Sequence, residues 1–247
     1  VGGDPAAIRL ALNHVKFKAP PSYAADVAKL LAHSDEVRAR LRRFSELEAP
    51  EGRIAIARPV AKVVADAARG GSLVLTGDPG AGKSGVLHEV AVDLAKQGWV
   101  VTFAVEASAV SLDALRAEIG LRHQLIDVMK NMPGDRPAYL LLDALDAVRG
   151  GAAQATYKKL VESVREIPGW HVVASVRSFD LRLGHEWRKQ FRGMPPSPDR
   201  SDSTLAAVRH IHIGLLDDAE KADLAAKSPS LAAAVEAGGP KMEALAR

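Results

Sequence analysis

The sequence contains no cysteine. That excludes disulfide staples, thiolate zinc sites and cysteine nucleophiles, and it is compatible with a reducing compartment. No apolar run approaches the roughly 18 residues needed to cross a bilayer, so no membrane partner is expected. No secretory leader is legible at the start, where Asp4 and Arg9 interrupt a mixed stretch, and a cytoplasmic location is expected. Neither sign of charge dominates. The 33 Lys and Arg stand against 30 Asp and Glu, a formal net charge of +3, which by itself gives no ground for reading the chain as a nucleic-acid binder. There is no long internal repeat.

What is present suits one substantial core. The chain has 247 residues, 47% of them hydrophobic, enough for one α/β domain with appended helices. It begins at Val1 and ends in a helical pattern, and is expected to be a piece of a longer protein. Residues 1 to 48 read as helical, with a short first helix stopped at Pro20-Pro21-Ser22. Leu30, Val37 and Phe44 then recur every seven residues, and Leu31, Leu41 and Leu47 fill the same stripe. Ala49 to Gly52 reads as a boundary. A helix from Pro59 to about Arg69 is closed by Gly70-Gly71.

Strands and helices alternate beyond it. Strands are expected at Ser72 to Thr76, Trp99 to Val105, Ala138 to Leu142 and Trp170 to Val176, with a last one at His210 to Ile213. Helices are expected at Gly82 to Gln97, Leu112 to about Met132 and Gln154 to Ile167, and from Asp217 onward with breaks at Ser228-Pro229 and Gly238-Gly239-Pro240. Arg182 to Thr204 reads as a long irregular loop. This alternation implies a parallel sheet covered on both faces.

Two motifs carry chemistry. The first is Gly77-Asp78-Pro79-Gly80-Ala81-Gly82-Lys83-Ser84, which matches G-x-x-x-x-G-K-[ST] between a strand and a helix. Glycines permit a backbone path on which N–H groups converge on phosphate oxygens, with the positive end of the helix behind them. Lys83 would reach the β- and γ-phosphates, Ser84 would hold Mg2+, and Gly85 follows on the helix. The second is the buried strand Tyr139-Leu140-Leu141-Leu142, ending on Asp143. A carboxylate there would be the second magnesium-side ligand, although an isolated Asp in that place could equally cap a helix. Asp146 could orient or deprotonate an attacking water, or be an ordinary first-turn acid.

Taken together, the loop and the segment Leu140 to Asp146 resemble the STAND class of signalling P-loop NTPases, in particular its NACHT-like branch. That branch favours a small residue after the magnesium aspartate, here Ala144, and a second acid beyond it, here Asp146. AAA+ ATPases usually carry a glutamate where Ala144 stands. A further acid of the branch is replaced by Ala147, so the resemblance supports binding more firmly than hydrolysis. The segment Trp170 to Arg177 resembles the class's fourth core strand, whose terminal arginine, here Arg177, senses the γ-phosphate; Ser175 lies at the same sheet end.

The resemblance implies a three-layer α/β/α sandwich with strand order 5-1-4-3-2. It divides the chain into a helical segment at 1–50, an NTPase core at 51–214 and the start of a helical subdomain at 215–247. It also implies an ATP- and Mg2+-dependent switch, slow as an enzyme, whose output is conformation or self-assembly in signalling or antiviral defence. Sensor and effector domains would lie outside this chain. Two rival readings stay open: an AAA+-like engine acting on nucleic acid or protein, and a module that binds nucleotide with little hydrolysis.

Weaker signals have plainer explanations beside them. The basic run Arg38-Ala39-Arg40-Leu41-Arg42-Arg43 could touch nucleic acid, but flanking acids make it a solvated helix face. Arg58 could approach the nucleotide or form a structural salt bridge. Ile54 to Ala57 could cover the base or simply pack. His210 and His212 share a strand face without a third metal ligand. Arg182, Arg188 and Arg192 are candidates for an arginine finger.

Overall fold

The computed structural model describes residues 21–50, 52–228 and 230. The expected short helix before Pro20 and the helical pattern from 231 onward lie outside the described residues. Five parallel strands form the main sheet: β3 (Leu73–Gly77), β4 (Trp99–Ala104), β5 (Ala138–Asp143), β6 (Trp170–Arg177) and β7 (His210–His212). Their spatial order is β4-β5-β6-β3-β7. Counted along the chain from the loop strand, that is the expected 5-1-4-3-2.

The strands are apolar almost throughout because both sheet faces are covered. Every residue of β3 and β5 is buried. Side chains alternate between the two faces. Leu73, Leu75, Tyr139 and Leu141 meet α2 (Val60–Arg69) and α3 (Lys83–Leu94), whereas Val74, Leu140, Leu142 and Val172 meet α6 (Gly151–Arg165). The result is a three-layer α/β/α sandwich.

Helix α1 (Ala24–Arg42) buries Leu30 and Val37 of the seven-residue series and Leu41 of the same stripe. It contributes Leu30 to one core and Val37 and Leu41 to the other, so it wraps the edge of the sheet at β4. Ser34 makes this contact specific. Its hydroxyl donates to the Val100 carbonyl at 3.1 Å and accepts from the Thr102 N–H at 2.9 Å. One buried side chain thus satisfies two backbone groups that a further strand would otherwise pair.

The structure corrects four sequence expectations. The helix ends at Arg42, so Phe44 leaves the stripe and is exposed. Residues assigned to helix and boundary form an antiparallel hairpin instead, β1 (Glu46–Ala49) with β2 (Gly52–Ala55), in which Ala49 pairs with Gly52. The long helix from Leu112 is two helices, α4 (Leu112–Ile119) and α5 (Leu125–Lys130). Gly120, at φ 74°, turns the chain between them and Asp26 holds the following Arg122 and His123 N–H groups. The supposed irregular loop from Arg182 opens on the last residues of one short helix, α7 (Ser178–Leu183), and contains a second, α8 (His185–Gln190); the two sink Leu181 and Trp187 into the core. Six-residue helices are too short for periodicity to reveal. A further helix, α9 (Asp218–Lys227), follows β7 behind a capping box of Asp217 and Glu220.

Candidate nucleotide site

The loop between β3 and α3 has the backbone that its glycines allow. Gly80 and Gly82 are left-handed, at φ 78° and 80°, a region that side chains with a Cβ resist. Gly82 is also the cap of α3, so the next amides face the loop with the positive helix end behind them. A Cβ on Gly85 would sit 2.3 Å from the Phe44 carbonyl oxygen. This glycine is what lets the chain entering the hairpin press against the first turn of α3.

Lys83 curls over the loop. Its ammonium donates to the carbonyls of Gly77 at 3.0 Å and Asp78 at 2.8 Å, and burial lowers its pKa from the ordinary 10.5. The Ser84 hydroxyl donates to the Asp143 carboxylate, with oxygens 3.0 and 2.9 Å away. Ser175 donates to the same carboxylate at 2.7 Å and accepts from the Ala144 N–H at 2.7 Å. Asp143 is buried, and its desolvation pushes the carboxyl above 3.8 against the pull of the Ser175 and Ser84 hydroxyls and the Lys83 charge. Sheet register explains the meeting. Leu142 pairs with Ala174 and Gly77 with Arg177, so loop, Asp143 and Ser175 emerge together at the carboxyl ends of neighbouring strands.

After Asp143 the chain turns sharply. Ala144 is left-handed at φ 61°, alone among the described non-glycine residues. A turn of 3-10 helix (Leu145–Ala147) follows and carries Asp146 back to β6. There Asp146 accepts from the Arg177 side chain at 2.8 Å and from its N–H at 3.2 Å. Two of the predicted catalytic residues are therefore bonded to each other.

These groups open onto a cavity of about 700 Å³, the size of a small-molecule site. Gly80, Gly82, Lys83 and Ser84 line it together with Asp146, Ser175 and Arg177. Phe44, Leu47, Ile56, Leu216 and Leu224 add apolar side chains to the wall beside the charged Arg43, Glu46, Glu48, Arg58 and Glu89, and Pro79 and Gly85 complete the loop's share. Gly77, Asp78 and Ala81 frame the loop through their carbonyls, and Asp143 lies behind Ser84. Of the segment proposed to cover a base, Ile56 reaches the cavity, whereas Ile54 packs on Leu224.

Several residues fall elsewhere. Arg182 is paired with Asp202, and Arg188 and Arg192 do not line the cavity. The basic run on α1 is spent on acids: Arg38 on Asp35, Arg40 on Glu106, Arg42 on Glu46. His210 is buried and structural, accepting from the Asp202 N–H and facing the Val208 carbonyl. No cluster of three or more His, Cys, Asp or Glu able to hold a metal exists among the described residues. Arg58, read as a salt-bridge residue or a nucleotide neighbour, is an ion-pair partner that also grips the loop, at 3.0 Å from Glu220 and 3.0 Å from the Ala81 carbonyl. Sequence reading missed Phe44, Leu47, Leu216, Leu224 and Glu89 as cavity residues, although it expected the helix that carries Leu224.

No family model matches the chain, and no curated protein matches it in sequence. Solved structures do align. The Aeropyrum pernix ORC1 protein in complex with DNA is 18% identical over 76% of this chain and 48% of its own, with a TM-score of 0.43. AMPPCP-bound DnaA from Aquifex aeolicus is 14% identical over 62% of this chain and 44% of its own, at 0.40. The Drosophila ORC bound to AT-rich DNA and Cdc6 is 14% identical over 82% of this chain and 65% of that one, at 0.35. The chain thus spans between 44% and 65% of the length of these three. The sheet order, with the loop between β3 and α3, is that of a P-loop NTPase fold. Among the described residues no helix is long and apolar enough to cross a membrane.

Proposed function

We propose that the protein is a nucleotide-operated switch that binds ATP with magnesium and hydrolyses it slowly, in the manner of the STAND class. The observation that carries this reading is the meeting of Lys83 and Ser84, with Asp143 bonded behind Ser84, on a cavity to which Phe44, Leu47, Ile56, Leu216 and Leu224 also bring apolar side chains. Lys83 and the loop amides suit phosphates, and the apolar side chains suit a base.

The residues fit magnesium. Ser84 and Asp143 offer a hydroxyl and a carboxylate in contact, and magnesium takes few protein ligands beside phosphate oxygens and water. When bound, the ion would supply charge neutralisation at the phosphates. The chain's own groups do the rest. Loop amides and the Lys83 ammonium hold the anion, and the apolar side chains of the lining shield the base from water. Asp146 can accept a proton from an attacking water, and Arg177 can stabilise charge on the transferred phosphoryl group.

Asp146 and Arg177 occupy one another, which favours a slow, regulated enzyme over a continuously turning one. An AAA+-type engine would share the strand order, but a glutamate is usual there where Ala144 stands in a left-handed turn. Self-assembly and a role in signalling or defence follow from the class resemblance.

Calorimetry with Mg-ATP tests the core of this. Wild type should bind and Lys83→Ala should lose at least tenfold in affinity, while GTP should compete poorly. Equal affinity in the two proteins would remove Lys83 from the site. Phosphate release should fall in Asp146→Asn with binding largely kept; an unchanged rate would end its catalytic role. Turnover stimulated by DNA would favour the engine, and a mass increase with a non-hydrolysable ATP analogue, seen by light scattering, would support the switch.

A further inference from the structure

Arg58 lies two residues before α2, and its side chain is almost wholly buried. Its guanidinium is divided among three separate pieces of the chain. Nη1 donates to the Ala81 carbonyl at 3.0 Å, Nη2 to the Gly214 carbonyl at 2.8 Å and Nε to Glu220 at 3.0 Å. Ala81 stands at the crown of the phosphate loop, between the two left-handed glycines. Gly214 belongs to the linker from β7 to α9. Glu220 is in the first turn of α9, where its second carboxylate oxygen accepts from the Asp217 N–H at 3.0 Å and completes the helix cap. A planar fork presents donors on three separate nitrogens to acceptors that lie apart, whereas an ammonium offers its three from a single atom.

The position of Ala81 gives this junction a direction. The Ala81 carbonyl and the Gly82 N–H belong to one planar peptide unit, trans like all those described, so the two groups point opposite ways. Arg58 fixes the carbonyl on its own side and thereby aims the Gly82 N–H away from it, and Gly82 lines the cavity. Anything that draws on this N–H stiffens the peptide plane on which Arg58 is seated. The same guanidinium fastens α9, which also places Leu224 in the apolar wall of the cavity.

We propose that Arg58 is a positioning residue that couples the phosphate loop to α9 through Glu220, so that an anion held by the loop and the docking of α9 stabilise each other. The inference rests on the reading of the loop as a nucleotide site. Coupling of this kind is reciprocal: what tightens α9 tightens the nucleotide by the same factor. A purely structural ion pair would hold α9 equally with and without nucleotide.

Hydrogen exchange on the full chain distinguishes the two, with magnesium and a non-hydrolysable ATP analogue as the probe. In wild type the analogue should slow exchange of the amides of residues 218–227 by roughly tenfold. Glu220→Gln removes the charge while keeping an acceptor and a cap. It should bind the analogue about threefold to tenfold more weakly, and α9 protection should then respond less than about twofold at saturation. Arg58→Lys should behave in the same direction, and Glu220→Gln keeps the test open should substitution at Arg58 unfold the chain. If the wild type binds the analogue while α9 exchange stays unchanged, or if Glu220→Gln responds as wild type does, the coupling is overturned. A wild type that fails to bind the analogue overturns the nucleotide reading itself.

Discussion

Replacing Asp143 with Asn should make the protein more stable and less able to use its ligand. The carboxylate is buried and forms no ion pair among the described residues. Two hydroxyls donate to it, from Ser84 and Ser175, each contributing about 1.5–3 kcal/mol as a bond to a charged group. Against them stands the desolvation of an unpaired charge, which costs several kcal/mol. Burial prevails, since it raises the carboxyl above its ordinary 3.8. Asparagine keeps an acceptor in place, and the Ser84 hydroxyl can turn to accept from the new amide. Removal of the charge should therefore stabilise the fold by about 1–2 kcal/mol at neutral pH, or roughly 3–6 °C in Tm for a chain of this size.

The sign of the pH dependence follows. A raised folded-state pKa contributes stability that is fully present below the unfolded value and lost as pH rises through the folded one. Wild type should thus approach the variant as pH falls from neutral toward 3.8. Urea melts across that range, with and without Mg-ATP, read both effects. At a hundredfold excess over Kd, ligand should add about 2.7 kcal/mol to wild type and distinctly less to Asp143→Asn. A variant less stable than wild type at neutral pH would refute the dominance of burial. An equal gain from Mg-ATP would remove Asp143 from the site.

Three further outcomes follow from other parts of the fold. Ser34→Ala strands the Val100 carbonyl and the Thr102 N–H at the sheet edge and should cost about 1–3 kcal/mol in urea unfolding; a change under about 0.3 kcal/mol would mean that water replaces the hydroxyl freely. Ala144→Gly removes a left-handed penalty of about 1–2 kcal/mol and restores about 0.5–1 kcal/mol of chain entropy to the unfolded state. Its Tm should rise slightly, and a clear fall would show that the Ala144 methyl packs usefully. At Asp26, burial pushes the carboxyl up, but the His123 and Arg122 N–H groups and the His123 ring outweigh it and leave the pKa below 3.8. Stability from a lowered pKa is present above the unfolded value and lost as pH falls through the folded one. Asp26→Asn should therefore be destabilising by about 1–2 kcal/mol near pH 7, with the deficit shrinking below 3.8; a deficit that persists in acid would refute the assignment.

The features legible in the sequence were those with a long period or a fixed spacing. Apolar runs at Leu73, Trp99, Ala138 and Trp170 are strands because both sheet faces are covered, and such runs announce themselves. The loop spelled itself out from Gly77 to Ser84. Short or composite features did not. The hairpin strands have four residues each, and their residues Glu46, Leu47 and Glu48 continue a helical stripe on paper. Helix α9 was visible, but no spacing connects Glu220 to Arg58, which lies 162 residues away. Likewise Asp146 and Arg177 were each legible as candidates, whereas their mutual bond depends on the left-handed turn at Ala144.

The way α1 lies along β4 fixes where a working fragment can begin. A cut made at the hairpin, where the sequence suggests a boundary, would remove Ser34 together with Val37 and Leu41 and bare the outer margin of β4. Such a margin is adhesive, because its unpaired amides and carbonyls accept any passing strand. A fragment starting at residue 51 would therefore precipitate or pair edge to edge. One that begins ahead of Ala24 would keep that flank sheathed, with the Val100 carbonyl and the Thr102 N–H still held by Ser34.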